Sequence, residues 1–371
     1  MAALPLTGIR VVEFAGLGPA PFAAMMLADF GAEVLRIARP GDPAWSAGIV
    51  ERGRPSLELD LKAEAGHRQA ADLVRAADVL IEGFRPGVME RLGLGPEECS
   101  KENPRLVYAR MTGWGQDGPL ASAAGHDINY LALTGTLFSL ARRGEAPMPP
   151  LNLVGDYGGG GMLLAFGVLL ALLEREHSDQ GQVVDAAMLD GTNLLMAGIW
   201  SRVARGGWSP VPGTNDIDTG APYYNVYGTA DGRHMAVGAV EAEFYARVLA
   251  VLGVDPGLAE SQHDRAHWPE AREALAERFR AEPMEHWIRA FGSVDACVSP
   301  VLTLEEARTD PQVTARGLLP TVDGTVNPAP APRLLRTPAR DLTAAVPDAR
   351  SVLERWTTGA GEGPARSAPA R

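Results

Sequence analysis

Apolar residues come first in short bursts along this chain. Ile9 to Ala15 is a β-rich run, broken by Gly16-Leu17-Gly18-Pro19-Ala20-Pro21. Phe22 to Phe30 then takes helical spacing, and Val34 to Ile37 reads as a second strand. Strand, glycine turn, helix and strand make a βαβ unit. Val79-Leu80-Ile81 and Leu106-Val107-Tyr108-Ala109 repeat the strand signal, each after a polar, helix-like stretch, and Gln182 to Ala186 adds another candidate. The pattern predicts an α/β fold with a Rossmann-like, doubly wound parallel sheet. Tyr130 to Leu140 reads as an apolar helix. Met162 to Leu173 is the longest apolar run; it is too short to span a bilayer and reads as a buried helix closed by Glu174-Arg175-Glu176.

From Met196 to Tyr224 the pattern loosens. Gly206-Gly207, Pro210, Pro212-Gly213 and Gly220 suggest a long linker. A compact second pattern follows. Asp231-Gly232 turns into the strand His234 to Val237. Helices are expected at Phe244 to Leu252, Trp268 to Phe279 and Met284 to Phe291, and the strand Cys297 to Leu302 closes a smaller α+β unit. Thr303-Leu304-Glu305-Glu306 carries a capping-box pattern. The expected layout is a large domain over 1–195, a linker over 196–225, the small domain over 226–310, and a return to the large domain over 311–358. The Gly-, Ala- and Pro-rich tail, 359–371, reads as disordered.

The chain has 371 residues, enough for two domains, and 46% of them are hydrophobic, enough for large cores. Its formal charge of 34 − 46 = −12 argues against a nucleic-acid partner. Two distant cysteines, Cys99 and Cys297, make neither a disulfide framework nor a metal site. Met1-Ala2-Ala3-Leu4-Pro5 lacks the regions of a signal peptide, and Pro369-Ala370-Arg371 is no peroxisomal address. A cytoplasmic protein with no membrane partner is the expectation.

Candidate chemistry concentrates in Gly125-His126-Asp127-Ile128-Asn129-Tyr130, where an imidazole and a carboxylate stand side by side before an apolar run. A second carboxylate, Asp156, follows in Asn152-Leu153-Val154-Gly155-Asp156, ahead of Gly158 to Gly161. A His and an Asp on separate loops, each beside a helix start, suit taking a proton from one face of a carbon and returning it to the other. The first glycine turn invites a dinucleotide reading. However, Pro21 replaces the third glycine, and the next strand ends in Arg39 where a ribose-binding acid is wanted. Arg39 suits a phosphate instead.

Gly125-His126-Asp127-Ile128-Asn129-Tyr130, with Pro149-Pro150-Leu151-Asn152-Leu153-Val154-Gly155-Asp156 downstream, resembles the racemase branch of the family III CoA-transferases, and the likeness runs from about Leu6 to Arg333. The resemblance implies a cofactor-free, metal-free racemase of 2-methylacyl-CoA thioesters, with coenzyme A present only as part of the substrate. It implies an interlocked homodimer. It makes His126 and Asp156 the acid/base pair, gives the backbone around Asp127 the enolate oxygen, and has Glu241 orient the His. It places coenzyme A near Arg39, Lys62, Glu82, Gly83, Arg85, Arg91 and Tyr130, and the acyl chain near Leu17, Met188, Tyr224 and Val240. Asp216 departs from the apolar residue usual there, and a charge beside a fatty chain is costly unless it stays wet. Two alternatives stand beside this reading: a family III CoA-transferase with Asp127 as the acyl-carrying nucleophile, and a non-catalytic acyl-CoA-binding protein.

Overall fold

The structure is a computed structural model describing residues 3–42 and 48–358. The tail expected from Gly359 lies outside the described residues.

Six parallel strands form the main sheet: β1 (Arg10–Phe14), β2 (Glu33–Ala38), β3 (Ser56–Glu58), β4 (Val79–Glu82), β5 (Val107–Thr112) and β6 (Val183–Ala187), in the order β3-β2-β1-β4-β5-β6. This is the doubly wound dinucleotide-fold order, whose direction reverses between β1 and β4. Side chains alternate between two cores. Val11, Val79, Ile81, Val107, Ala109 and Met111 face one, against helix Pro19–Asp29 and helix Leu163–Ser178. Val12, Phe14, Leu80 and Tyr108 face the other, against helix Glu64–Arg75 and the C-terminal helix Ala349–Thr358. Burial on both faces explains why these strands read as continuous apolar runs. The C-terminal helix is fastened by fully buried Trp356, whose indole N–H donates to Glu33 at 2.6 Å.

A second sheet is antiparallel: β7 (Tyr224–Gly228), β8 (His234–Gly238) and β9 (Val298–Pro300), in that order. Helices Ala242–Leu252, Trp268–Ala281 and Met284–Phe291 pack a third core with it. Tyr227 stacks on Phe279 at 5.2 Å, and the Trp287 indole donates to the Phe279 carbonyl at 3.0 Å. The α/β domain plus a smaller α+β unit is therefore the fold. Strand β7 went unmarked in the sequence because its buried positions, Asn225 and Tyr227, are no more apolar than its exposed ones, Tyr224 and Val226.

The chain divides into two compact units. The first comprises Met1–Thr134, Leu151–Leu195 and Gly317–Arg371; the second comprises Gly135–Pro150 and Met196–Arg316. The boundaries expected from sequence differ in three places. Gly135–Pro150 belongs to the second unit, because the helix expected over Tyr130 to Leu140 ends at Leu133, and Gly135, at φ 77°, starts a new turn. The stretch read as a linker is ordered structure of the second unit. It begins with helix Ala197–Ala204, and its loop is laced together by Asn215 and Asp218. Such side-chain-to-backbone bonds supply order that hydrophobic periodicity does not record. Helix Pro311–Ala315 also stays with the second unit, and the first resumes at Gly317.

The run Met162 to Leu173 is also more than a short buried helix. It continues a ten-residue π-helical stretch, Leu153–Met162, so Leu153–Ser178 is 26 residues of unbroken helix. By length and composition alone that is enough to cross a membrane, with mean hydropathy 1.6. Leu164, Ala165, Val168 and Ala171 pack into the first core, while Met162, Phe166, Leu169, Leu170 and Leu173 remain exposed on the single chain.

Candidate active site

A cavity of about 310 Å³ lies in the first unit, where Leu17 to Ala20 follow β1, Gly83 to Pro86 follow β4, and Thr112 to Trp114 close β5. Ligands of open α/β sheets collect at the carboxyl ends of the strands where the order reverses. His126, Tyr130, Asp156 and Met188 complete the wall. The His and the Asp singled out in the sequence thus line one cavity.

His126 immediately precedes helix Asp127–Leu133 in an extended conformation, φ −132° and ψ 172°. Its N–H donates to Asn129 Oδ1 at 3.0 Å, and its carbonyl accepts the Asn129 N–H at 2.8 Å. The imidazole is exposed, lining the cavity. Behind it, Tyr130 is buried edge-on to Trp114, with centroids 4.7 Å apart. A Cβ on Gly113 would meet the Tyr130 hydroxyl at 2.1 Å, so glycine lets the ring in. Burial, with the Asp156 and Asp127 charges adding, pushes the Tyr130 phenol up to about 12.

Asp156 does not precede a helix, as its sequence context suggested; it lies inside the π-helical stretch. Tyr157 donates to the carbonyl of Asn152, five residues back, at 3.3 Å. Wide turns of this kind recur where a side chain must be re-aimed. The glycines around Asp156 allow the close packing this needs. A Cβ on Gly159 would stand 2.7 Å from the Thr192 nitrogen, and one on Gly160 2.8 Å from Pro19 Cβ. Asp156 Oδ2 also lies beside the backbone of Gly18, where an added Cβ would be 3.1 Å from it. Burial raises the Asp156 carboxyl above the ordinary range, and the Asp127 charge raises it further. The Asn152 amide, donating at 3.3 Å, and His126 oppose this. The result is a carboxyl suited to hold or release a proton nearer neutrality.

Asp127 is held differently from Asp156. Its side chain is 6% exposed, and its Oδ2 accepts the N–H of Gly155 at 2.7 Å and of Asp156 at 2.8 Å. The other oxygen, Oδ1, is buried without a hydrogen-bond partner among the described residues. The carboxylate ties the start of its own helix to the turn that carries Asp156. Nothing in the spacing of these residues signalled that bond.

The coenzyme A residues separate into two groups. Arg39, Lys62, Arg85 and Arg91 present exposed cations after β2, near β3 and after β4, and Gly83 and Arg85 line the cavity. Glu82 is corrected. It is fully buried, accepts Arg110 Nε at 2.9 Å and the Phe84 N–H at 2.7 Å, and so shapes the turn rather than facing a ligand. Arg110 is in turn held by Glu90 at 2.8 Å. Of the acyl residues, Leu17 and Met188 line the cavity. Tyr224, Val240 and Glu241 belong to the second unit, where Glu241 stands just before helix Ala242–Leu252. The charge of Asp216 is not isolated: Arg202 donates to it at 2.8 Å. Trp114 and the Thr112-Gly113 step were not singled out in the sequence. The rule that ligands meet strand ends, applied after Ala109, was the signal that points to them.

The model of CoA-transferase family III matches residues 6–349. An alpha-methylacyl-CoA racemase of Mus musculus is 48% identical over 336 residues, covering 90% of this chain and 87% of the mouse protein. That of Homo sapiens is 45% identical over 337 residues, covering 91% and 88%. A crystal structure of a CAIB/BAIF family protein from Brucella suis superposes with TM-score 0.82 at 22% identity, over 95% of this chain and 100% of that one, and shows the same fold. The chain belongs to family III of the CoA-transferases.

Proposed function

We propose that the protein is a racemase interconverting (R)- and (S)-2-methylacyl-CoA thioesters by 1,1-proton transfer through an enolate. The observation that carries the reading is the pairing of His126 and Asp156 on one cavity at the carboxyl ends of β1, β4 and β5. The names of the mouse and human relatives, at 48% and 45% identity, favour the same substrate class. In this mechanism the thioester carbonyl acidifies the α-proton. One of the two groups removes it while the other protonates the opposite face. The enolate oxygen takes a hydrogen bond from the Asp127 N–H, which as the first helical residue has no acceptor within its own helix. Arg39, Lys62, Arg85 and Arg91 hold the phosphates of coenzyme A, and Leu17 and Met188 receive the acyl chain. No metal or redox cofactor enters this scheme.

The reading includes a cytoplasmic homodimer in which Glu241 of one chain orients the imidazole of the other. The apolar stripe of Met162, Phe166, Leu169, Leu170 and Leu173 supports association, since exposed apolar faces of this extent mark interfaces. Sedimentation as a monomer overturns the shared site. For the reaction itself, each pure enantiomer is incubated in D₂O with no acceptor acid. The expected result is α-deuterium uptake and a common mixture from both. Coenzyme A moving to an added carboxylic acid, with the stereocentre unchanged, favours a transferase. In that case the cavity carboxylate to suspect is Asp156 rather than Asp127.

A further inference from the structure

The second unit contains its own cavity, of about 280 Å³, which the proposed reaction does not use. Three arginines line it: Arg143, Arg265 and Arg272. Arg265 lies over the Trp268 ring, 5.6 Å from its centroid, and donates to the Gly207 carbonyl at 2.9 Å. Arg272 donates to the Gly220 carbonyl at 2.9 Å. Neutral groups therefore hold two of the three cations in place. Among the described residues none of the three pairs with a carboxylate. Three of the acids nearby in sequence are engaged elsewhere. Asp216 pairs with Arg202, and Asp264 with His267 at 2.9 Å. Asp218 accepts the N–H groups of Gly213 at 2.9 Å and Asn215 at 2.7 Å. Three arginines without a carboxylate partner around one cavity stand out in a chain of net charge −12.

The rest of the wall suits an anion bearing a small organic group. The hydroxyls of Ser209 and Thr214 sit 2.9 Å apart. The loop that carries them is pinned by buried Asn215, which accepts the Ser209 N–H at 2.7 Å. It is packed so tightly that a Cβ on Gly213 would stand 2.3 Å from the Arg143 nitrogen. Trp268, Pro269 and Val211 add apolar surface. Planar guanidinium forks match phosphate oxygens in pairs, and an already ordered set of donors loses little freedom on binding. The geometry points to a binding site for a phosphate monoester in this cavity, held by Arg143, Arg265 and Arg272. The phosphate belongs either to a free metabolite or to a coenzyme A molecule bound outside the catalytic cavity.

Calorimetric titration of the full chain with inorganic phosphate tests the site. The expected result is saturable binding that Arg143→Ala/Arg265→Ala weakens about tenfold or more, the scale of a lost charged hydrogen bond. Arg85→Ala, at the other cavity, should leave it in place. No saturable binding, an undiminished affinity in the double variant, or loss through Arg85→Ala alone each overturns the proposal. Should the double variant unfold, Arg143→Gln serves, because Arg143 is exposed. Competition identifies the source. Coenzyme A displacing phosphate where dephospho-coenzyme A does not points to the coenzyme, and displacement by glycerol 3-phosphate alone points to a free metabolite. Absence of deuterium uptake at the catalytic cavity leaves this result untouched, so the two readings fail separately.

Discussion

Two aspartates close together in the fold are held in opposite ways. Asp127, at the first turn of its helix, is buried and gives one oxygen to the N–H groups of Gly155 and Asp156. Asp156, in the π-helical stretch, receives the benefit. Its backbone is held from behind, and its side chain is left on the cavity wall with a single neutral donor, Asn152. A carboxylate oxygen held by two backbone donors is a fastening, whereas a carboxyl that is half-buried and sparsely bonded can gain and lose a proton. Residue type and proximity to His126 favoured neither over the other; their hydrogen-bond partners distinguish them.

The largest expected effect is on activity. Asp156→Ala and His126→Ala should each lose about 10²-fold or more in kcat, the scale of a positioned proton-transfer group, with coenzyme A affinity largely kept. Single-turnover deuterium uptake separates the two, because each variant should fail first with the enantiomer whose proton its missing group removes. A fully active Asp156→Ala enzyme would end the two-sided mechanism and remove the contrast between the aspartates.

Much of this arrangement was legible in the chain. Runs such as Val79-Leu80-Ile81 are apolar at every position because both faces of a parallel sheet are covered, and that is a local signal. His126 and Asp156 were visible as chemistry because few residue types move protons. What stayed hidden was carried by hydrogen bonds at long sequence separation. Asp127 reaches Gly155, 28 residues away, and Arg110 reaches Glu82, 28 residues away. Neither bond leaves a periodic trace, so the Asp127 side chain entered the reading only as the nucleophile of the transferase alternative, and Glu82 read as a ligand. The loop from Ser209 to Gly220 read as a linker for a similar reason: its order comes from Asn215 and Asp218 rather than from apolar spacing.

An intermediate effect, on stability, tests how the turn beneath Asp156 is built. Gly159→Ala would place a Cβ 2.7 Å from the Thr192 nitrogen and 3.0 Å from the Gly191 carbonyl carbon. Backbone atoms cannot swing aside, so the variant should lose about 1–3 kcal/mol, as overpacked sites do. Gly198→Ala is the matched control. It lies in helix Ala197–Ala204 with open space around the new methyl, and should be neutral or stabilising by about 0.5–1 kcal/mol. Thermal unfolding of the two variants decides it. Equal midpoints would mean that the glycine run is not held by close packing.

The smallest effect comes from Asp127→Asn. The substitution keeps the volume and leaves an amide oxygen able to accept from both Gly155 and Asp156, so the turn should survive. It removes a negative charge that acts, after burial, to raise the Asp156 carboxyl. Without that charge the carboxyl should ionise at lower pH. The acid limb belongs to the reaction direction in which Asp156 is the base: activity requires the carboxylate, present above its pKa, and is lost as pH falls through it. In Asp127→Asn that limb should therefore move to lower pH, while the plateau falls much less than in Asp156→Ala. The measurement is kcat/KM against pH for each enantiomer separately. A limb that moves upward, or a plateau as low as that of Asp156→Ala, would mean that the Asp127 carboxylate takes part in the chemistry itself and does not merely position its neighbour.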